Sequence, residues 1–344
     1  MSRQRLTRLA KLPSAMGLAS RLAYQRARRE GVAVRQLLRK ARLSSEQLED
    51  PKARLVVRDQ IDFLNLVAEA LDDDMLGHHL ALDFDLRLGG LFYYVLASSE
   101  SLLDLFERGA RYTTLVNEGV NQKLFDARRV GMAVRYIGIR RQTDRHQMEF
   151  WLTTLVRLCR HCTGKHVKPI RVRLTHYRGR GHAAFTRFLG CSVEFGASVD
   201  EILFASDVRT LPITHADAYL NRLLVSVCEE VLAGRTRVAE PFVARVENVV
   251  APLLPHGDAR AAEVAKRLGL SQRTFARRLE EQGLTFSAVL HRLRLDLARR
   301  YLGREKLPIS KVAWLLGYQE VGAFSHAFRR WTGKSPSEFT RDAA

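Results

Sequence analysis

The side chains best suited to a chemical task follow Ser271. In a helix that begins after this residue, Phe275 and Leu279 point back to a core. The side chains that point outward are Gln272, Arg273, Thr274, Arg277 and Arg278. An Arg guanidinium can bridge O6 and N7 of guanine in the major groove, and the helix N-terminus with nearby Arg side chains can neutralise phosphates. The pattern therefore favours contact with DNA.

The element before this helix would hold it in place. Val264, Ala265 and Leu268 form the inner face of a short helix. Gly269 stands where a helix must reverse through a left-handed backbone conformation, and Ser271 is a natural N-cap for the next helix. Residues 261–282 are therefore predicted to form a helix-turn-helix unit.

The same plan recurs nearer the end of the chain, over residues 309–332. Val312, Ala313, Leu316, Gly317, Phe324 and Phe328 take the places of Val264, Ala265, Leu268, Gly269, Phe275 and Leu279. A single corner of this kind also occurs as a purely structural element. Two copies of one module support the DNA-binding interpretation better than either copy alone.

Two other groups could carry chemistry. Cys159 and Cys162, in a Cys-x-x-Cys spacing with His166 nearby, resemble half of a zinc site. They lie on an amphipathic helix of residues 148–162, where Cys159 takes a core position, which favours its interpretation as a small hydrophobe. The acidic run 72–74 is typical of a helix start. The sequence has no Gly-rich phosphate loop and no nucleophile elbow, so we expect no enzyme, no metal and no cofactor.

Charge favours a nucleic-acid partner. The 344 residues include 56 Lys and Arg against 37 Asp and Glu, a net charge of +19. Residues 241–344 hold 18 basic and 10 acidic side chains, and residues 1–40 hold 11 basic and one acidic. The basic start could touch DNA or a neighbouring subunit, or it could be the solvated face around a first apolar helix.

Apolar runs and cysteines indicate the compartment. The sequence has no apolar run of roughly eighteen residues, so no membrane span is expected. Four cysteines in so long a chain are too few for a disulfide framework and suit a reducing compartment. We therefore expect a cytoplasmic protein.

Periodicity divides the chain into two domains. A basic segment, residues 1–16, precedes residues 17–233, where helical spacing mixes with strand-like alternation. The predicted strands lie at 123–139, 167–176, 193–195 and 202–204, and in the second of them Ile170, Val172 and Leu174 are predicted to face one side. Residues 234–240 are polar and end before Pro241, which is typical of a linker. The predicted fold class is a mixed α+β N-terminal domain followed by an all-α C-terminal domain, residues 241–342.

The second helix-turn-helix unit resembles a known family. Residues 309–339, with Leu-Gly-Tyr318, Phe324-Ser-x-Ala-Phe-Arg-Arg-Trp-Thr-Gly333 and Ser-Pro-Ser-Glu-Phe339, are similar to the AraC/XylS signature, and residues 241–342 fit that DNA-binding domain throughout. The resemblance implies two three-helix units joined by a shared helix, Phe286 to Leu302, with recognition helices in successive major grooves roughly 34 Å apart. The DNA-contacting residues implied in the second unit are Gln319, Gly322, Ala323, Ser325, His326, Arg329 and Arg330.

The second recognition helix departs from the family pattern. Gly322 and Ala323 stand where many relatives have polar side chains, and His326 stands where Arg is frequent. Gly in a helix interior also costs up to about 1 kcal/mol relative to Ala. We therefore expect weaker base recognition by the second unit, with Arg329 and Arg330 binding phosphate, and more sequence discrimination by the first unit.

Residues 17–233 are similar to the arabinose-binding-type domain that precedes the DNA-binding domain in a subgroup of this family. The resembling pieces include residues 31–39, 96–102 and 188–196. The resemblance implies a ligand-binding and dimerisation domain that senses a small-molecule effector. No ligand residue carries over, so the effector-binding residues stay unknown.

These patterns together predict a sequence-specific DNA-binding transcription regulator. The family resemblance implies an effector-responsive activator that binds double-stranded promoter DNA as a homodimer and contacts RNA polymerase. Repression is an alternative within the same family, because no residue indicates the sign of regulation. An effector-independent architectural DNA-binding protein and a cysteine-based damage sensor fused to a DNA reader are further alternatives.

Overall fold

The structure, a computed structural model, describes residues 13–125, 130–136, 143–178, 182–234, 242–303 and 306–342. Most of the predicted basic segment, residues 126–129 and 137–139 of the first predicted strand region, and residues 235–240 of the predicted linker lie outside these ranges. In the described ranges, every helix is too short or too polar to cross a membrane.

Seven helices build the first part of the N-terminal domain. They are α1 Leu18–Arg29, α2 Val34–Ala41, α3 Ser45–Glu49, α4 Val57–Ala70, α5 Leu76–Asp83, α6 Leu91–Ala97 and α7 Leu102–Val116. Strand β1 Ser14–Ala15 pairs with β2 Leu55–Val56, and a 3₁₀ helix precedes α6. Ser44 begins α3 and Ser101 begins α7, each in a reciprocal capping box that satisfies two backbone N–H groups. The helical spacing predicted for this region is therefore present.

A five-stranded sheet follows, with strand order β3-β4-β7-β5-β6. Its strands are β3 Val120–Leu124, β4 Val130–Tyr136, β5 Arg171–Leu174, β6 Val193–Phe195 and β7 Asp200–Phe204. Neighbouring strands are antiparallel except β5 and β6, which run parallel and are connected through helix α9, Ala183–Leu189. A Cβ on Gly131 would lie 2.2 Å from the carbonyl oxygen of Ile202, so β4 can approach β7 here only because the side chain is absent.

Two long helices cover this domain. Helix α8, Arg145–Thr163, packs against α4 and α5 and buries Leu152, Val156 and Cys159. Helix α10, Ala218–Ala233, packs against α6 and α7, where the Asn221 side chain donates to the Val95 carbonyl and to the Ser98 hydroxyl, each at 2.9 Å. The mixed α and β character predicted for the domain is confirmed.

One local prediction was wrong, and another holds in part. Val172 and Leu174 are both buried, as their predicted shared face requires, whereas Ile170, which precedes β5, is 55% exposed. The acidic run 72–74 lies in the turn before α5 and not in its first turn, and Asp73 accepts a hydrogen bond from the Met75 N–H at 2.9 Å.

A buried ion pair ties α8 to its neighbours. Glu149 and Arg178 have fully buried side chains and share two hydrogen bonds, of 2.5 and 2.8 Å. Arg178 also donates to Asp74 at 2.7 Å, and His176 Nε2 lies 3.0 Å from Glu149 Oε1. Burial alone would raise the pKa of Glu149, but the charge of Arg178 and the hydrogen bonds from both partners hold this pKa well below its usual range. Glu149 therefore stays ionised and fixes α8 to the segment after β5.

The C-terminal domain is all-α, as predicted. Its helices are α11 Phe242–Val250, α12 Ala261–Arg267, α13 Gln272–Glu280, α14 Phe286–Gly303, α15 Ile309–Leu315, α16 Val321–Thr332 and α17 Pro336–Asp342, with a 3₁₀ helix at Ala251–His256. On α14, Leu293, Leu297 and Tyr301 are buried in a core that includes residues of both helix-turn-helix units, and Leu290 is partly buried against it. This helix therefore joins the two units.

We expect acid to destabilise the N-terminal domain through its buried histidines. The ring of His78 lies between Phe185 and Phe188, and burial is the main cause that lowers its pKa from 6.5 to about 4. The unfolded chain gains this proton below about pH 6.5, whereas the folded chain gains it near pH 4, so the free energy of unfolding falls as the pH falls through this window. His146 and His176, whose pKa values burial also lowers, act in the same direction.

The substitution His78→Asn should therefore flatten the dependence of stability on pH between 6.5 and 4, measured by urea unfolding at several pH values. The exposed His215 provides the control, because His215→Asn removes a histidine that the fold does not enclose. A profile for His78→Asn as steep as that of the unaltered protein would contradict the prediction.

Candidate nucleic-acid interface

Each helix-turn-helix unit is held by the apolar side chains that the repeat predicts. Val264 and Phe275 are buried in the first unit, and Val312 and Phe324 are buried in the second. All four belong to one core with the inner face of α14. The paired helices therefore have fixed mutual positions in each unit.

The two turns have the same hydrogen-bond pattern. In the first, Gly269 has a φ of +68°, its N–H donates to Lys266, and the next N–H, of Leu270, donates to Ala265. In the second, Gly317 has a φ of +77° and donates to Trp314, and Tyr318 donates to Ala313. Both are the Schellman arrangement that satisfies the last carbonyls of a helix. The predicted left-handed glycines are therefore present at both turns.

The first recognition helix, α13, presents basic groups to solvent. Gln272, Arg273, Arg277 and Arg278 are exposed, and Thr274 is half-buried. Arg273 and Arg277 lie one turn apart, on the face away from the buried Phe275 and Leu279. The guanidinium of Arg277 lies 3.6 Å from Glu281, a weak surface pairing that a phosphate or base could displace.

Two of the predicted side chains in α13 also have local partners. The Ser271 hydroxyl caps the helix by accepting from the Thr274 N–H at 3.2 Å, and it lies 2.9 Å from the Thr274 hydroxyl. The guanidinium of Arg278 lies 5.7 Å from the ring centre of Phe242 on α11. Thr274 and Arg278 therefore stabilise the unit as well as facing outward.

The second recognition helix, α16, presents smaller side chains. The exposed predicted residues are Gln319, Gly322, Ala323, His326, Arg329 and Arg330. Ser325 is half-buried and donates to the Val321 carbonyl at 2.9 Å. Gly322 and His326 take the positions that Arg273 and Arg277 hold in the first unit. At these two positions, the outward face of α16 therefore has the imidazole ring of His326 and no guanidinium group.

The two helices also begin differently. Ser271 caps α13 with its side chain, whereas Glu320, the N-cap of α16, makes no side-chain capping bond. A carboxylate at this position interacts favourably with the helix dipole, but it repels a phosphate that approaches the helix N-terminus. The N-terminus of α13 therefore has no carboxylate at its cap, unlike that of α16.

Arg294, which no sequence pattern singles out, positions the second unit. Its Nε donates to the carbonyl of Leu316 at 3.0 Å, and its guanidinium lies 5.0 Å from the ring centre of Tyr318. These contacts tie α14 to the turn between α15 and α16. The sequence gives little signal for this role, because an Arg next to Leu293 is equally typical of a solvated helix face.

The cysteine pair is part of the domain core. Cys159 and Cys162 are buried, and burial raises the pKa of Cys162 to about 11 and the pKa of Cys159 still further. Both are therefore neutral thiols at pH 7, which are poor metal ligands and poor nucleophiles. Among the described residues, no group of three or more His, Cys, Asp and Glu side chains could hold a metal ion.

Comparison with known proteins agrees with this architecture. Residues 31–213 match the arabinose-binding domain of AraC transcription regulators, and residues 264–342 match a helix-turn-helix domain. The chain is 27% identical over 337 residues to an uncharacterized HTH-type transcriptional regulator of Mycobacterium tuberculosis, covering 94% of this chain and 95% of that one. It is 28% identical over 314 residues to the ornithine utilization regulator of Pseudomonas aeruginosa, covering 90% and 91%.

Two further matches are more distant or shorter. A transcriptional activator from Rhodococcus is 29% identical over 136 residues, which cover 38% of this chain and 40% of that one. The crystal structure of the regulator CdpR from Pseudomonas aeruginosa has a TM-score of 0.41 at 19% identity, covering 90% of this chain and 96% of that one.

Fold and site define a helix-turn-helix transcription regulator with a separate N-terminal domain. The arabinose-binding model spans more than half of the chain. The chain therefore belongs to the AraC family of transcription regulators.

The two turn glycines should differ in their tolerance of a side chain. In Gly269→Ala a new Cβ meets open space, so only the left-handed backbone is penalised, by about 1–2 kcal/mol. In Gly317→Ala the Cβ would lie 2.3 Å from the carbonyl oxygen of Leu254, and this clash adds about 1–3 kcal/mol. Urea unfolding followed by Trp fluorescence, to which Trp314 and Trp331 of this domain contribute, would measure the difference.

Gly269→Ala is the matched control, because it makes the same change at the equivalent position of the other unit. Equal losses of stability in the two variants would contradict the close approach of Gly317 to Leu254.

Proposed function

We propose that this AraC-family regulator is an effector-responsive activator that binds promoter DNA as a homodimer in the cytoplasm, where it contacts RNA polymerase. The observation that carries the DNA-binding part is the exposed pair Arg273 and Arg277 on α13. Two guanidinium groups one helical turn apart, about 6 Å along the helix axis, suit neighbouring base edges or phosphates of a major groove.

The first unit provides more of the sequence discrimination in this proposal. Gly322 offers no side chain to a base, and Ala323 can at most touch a thymine methyl group. Arg329 and Arg330 are exposed near the C-terminal end of α16, where they would neutralise phosphates and orient the domain without distinguishing sequences. The two units therefore divide binding into a mainly specific part and a mainly electrostatic part.

Contact between the two domains supports response to an effector. Tyr177, between the buried His176 and Arg178, packs against the core of the C-terminal domain, and the ammonium group of Lys311 on α15 lies 5.8 Å from its ring centre. Because Arg178 is hydrogen-bonded to Glu149 on α8, a shift of α8 would displace Arg178 and with it the neighbouring Tyr177. An effector that binds the two arrangements of this contact unequally would change the fraction of protein competent for DNA.

The names of two relatives point the same way. One relative is a transcriptional activator, and another is a regulator of ornithine utilization. The first name supports activation by this chain, and the second supports a small metabolite as its effector.

Selection of genomic fragments by the purified full chain tests the whole proposal. At near-physiological salt, one or a few sharply enriched fragments are expected, and the genes beside them would nominate the effector. Uniform enrichment with and without extracts of small metabolites would instead support an architectural DNA-binding protein.

Substitution of the outward side chains should separate the roles of the two units. We expect Arg277→Ala to weaken binding to a selected fragment by about 1–3 kcal/mol, with little effect on scrambled DNA, because a base contact is lost. His326→Ala should have a smaller effect on the difference in binding free energy between the selected fragment and scrambled DNA. Fluorescence anisotropy with both DNA molecules would measure it.

Arg187→Ala is the charge-matched control, because Arg187 is exposed on α9 of the other domain. If His326→Ala reduces the preference for the selected fragment more than Arg277→Ala does, the assignment of discrimination to the first unit is wrong.

The homodimer is assigned to the outer face of α10. Leu224, Val225 and Leu232 turn toward the domain core, yet a second apolar stripe on the same helix is solvent-exposed. That stripe consists of Tyr219, Leu220, Leu223, Val227 and Val231. A soluble helix with two apolar faces indicates a partner, and a second copy meeting it about a two-fold axis would cover the same stripe on both chains.

This position also suits a dimer that reads DNA, because α10 ends at Ala233, just before the segment that leads to the DNA-binding domain. A pair of α10 helices would therefore bring two DNA-binding domains to neighbouring sites on the same promoter.

The substitution Val227→Glu should convert the dimer to a monomer, because it places two buried charges in the apolar contact. Sedimentation velocity at micromolar concentration would measure the mass of the species. Ala184→Glu introduces the same charge at an exposed position of another helix, α9, and serves as the control. A Val227→Glu protein that sediments as the unaltered dimer would exclude α10 as the interface.

A further inference from the structure

A cavity of about 460 Å³ lies inside the N-terminal domain. Its walls come from α1, α6 and α7, from strands β3 and β4, and from one face of α8. The volume falls in the range of small-molecule sites, about 300–1,000 Å³. Most of the lining is aliphatic or aromatic, for example Phe92, Leu96, Val134 and Phe150. The cavity is therefore large enough and apolar enough for a metabolite-sized molecule.

Two residues of α8 that line this cavity each carry a polar atom without a hydrogen-bond partner in the described part of the chain. The side-chain oxygens Oε1 of Gln147 and Oγ1 of Thr154 are buried, and neither has a hydrogen-bond partner among the described residues. A buried polar group without a partner costs about 1–3 kcal/mol. Such groups in a cavity wall are what a bound molecule with matching hydrogen-bonding groups would satisfy.

The distance between Gln147 and Thr154 indicates how long a ligand must be to reach both side chains. Gln147, Trp151, Thr154 and Leu158 follow one another at helical spacing and all line the cavity. Gln147 and Thr154 are two turns apart, about 10 Å along the helix axis. Between them lies Trp151, whose indole N–H donates to the Gln122 side-chain oxygen at 3.1 Å when the Gln122 amide is oriented so that its nitrogen donates to the Gly109 carbonyl. A ligand along α8 thus meets a polar group, an aromatic surface and a second polar group.

Charged side chains are few and already engaged. Arg21 and Glu49 are the charged members of the described lining. Arg21 donates to three backbone carbonyls, and Glu49 accepts from the Tyr24 hydroxyl and from Arg28. Neither is arranged to balance a charge on a ligand, and burying an unbalanced charge is costly.

We propose that this cavity is the effector site and that it takes an uncharged, mostly apolar molecule with hydrogen-bonding groups near both ends. In calling the ligand an effector, the inference rests on the proposed function. A pentose such as arabinose fits poorly, because most of the wall is aliphatic or aromatic and would leave several of its hydroxyls buried without partners. The ligand class of this chain therefore differs from the sugar in the name of the matched domain.

Competition for a fluorescent probe tests the inference on the full chain. N-phenyl-1-naphthylamine, an uncharged aromatic amine, should bind saturably, and 1,8-octanediol should displace it. Octanedioate, which has the same carbon chain with two negative charges, and L-arabinose should compete at least tenfold more weakly.

Two conservative variants test whether octanediol displaces the probe by binding in the cavity. Thr154→Val and Gln147→Leu keep the side-chain volume and each remove one hydrogen-bonding group, so each should weaken displacement by octanediol about fivefold. Thr163→Val is the control, because the Thr163 hydroxyl lies on the same helix but donates to the Cys159 carbonyl at 2.7 Å. Thermal unfolding of each variant verifies that the domain is folded.

Absence of saturable probe binding, or unchanged competition in both Thr154→Val and Gln147→Leu, would overturn the site. Competition by octanedioate or arabinose as strong as that by octanediol would overturn the ligand class. DNA binding by the unliganded chain is measured separately. Selective DNA binding without probe binding would support the proposed regulator and contradict the cavity site. Probe binding without selective DNA binding would support the cavity site and contradict the proposed regulator.

Discussion

The buried pair of Glu149 and Arg178 is the constraint on which the N-terminal domain depends. Two full charges in an apolar interior persist only because each is hydrogen-bonded on several sides, and loss of one partner from such a pair typically costs about 3–5 kcal/mol. The pair joins α8, the segment after β5 and the turn before α5. It therefore fixes the helix that lines the cavity on one face and, through the neighbouring Tyr177, the surface that meets the DNA-binding domain.

The C-terminal domain shows how one module can diverge within a chain. Both units keep the buried aromatic residue, the left-handed glycine and the same turn hydrogen bonds. They differ where folding places no demand, on the outward faces of α13 and α16. Arg273 and Arg277 in one unit correspond to Gly322 and His326 in the other, so the scaffold is preserved while the chemistry offered to DNA changes.

Much of this architecture could be predicted from sequence because it depends on local patterns. Gly269, Gly317 and the cap Ser271 have roles that spacing alone defines. The exposure of Ile170 could not be predicted, because alternation does not reveal where a sheet ends. Arg294, Gln147 and Thr154 could not be assigned, because their partners, or the lack of partners, arise from residues distant in the chain. The cavity is likewise a product of tertiary packing, since its walls come from most of the domain.

The close approach of Gly317 to Leu254 has a consequence for the DNA. The turn of the second unit rests on the 3₁₀ helix that precedes the first unit, and Arg294 holds it from the other side. The two units thus share one packed core, and in the proposed complex with DNA the protein sets the distance between the two short sequences that α13 and α16 meet. One base pair inserted between those sequences would turn the second by about 34° and move it about 3.4 Å along the axis. Promoters regulated by this chain should therefore tolerate base substitutions between the two sequences far better than insertions or deletions there.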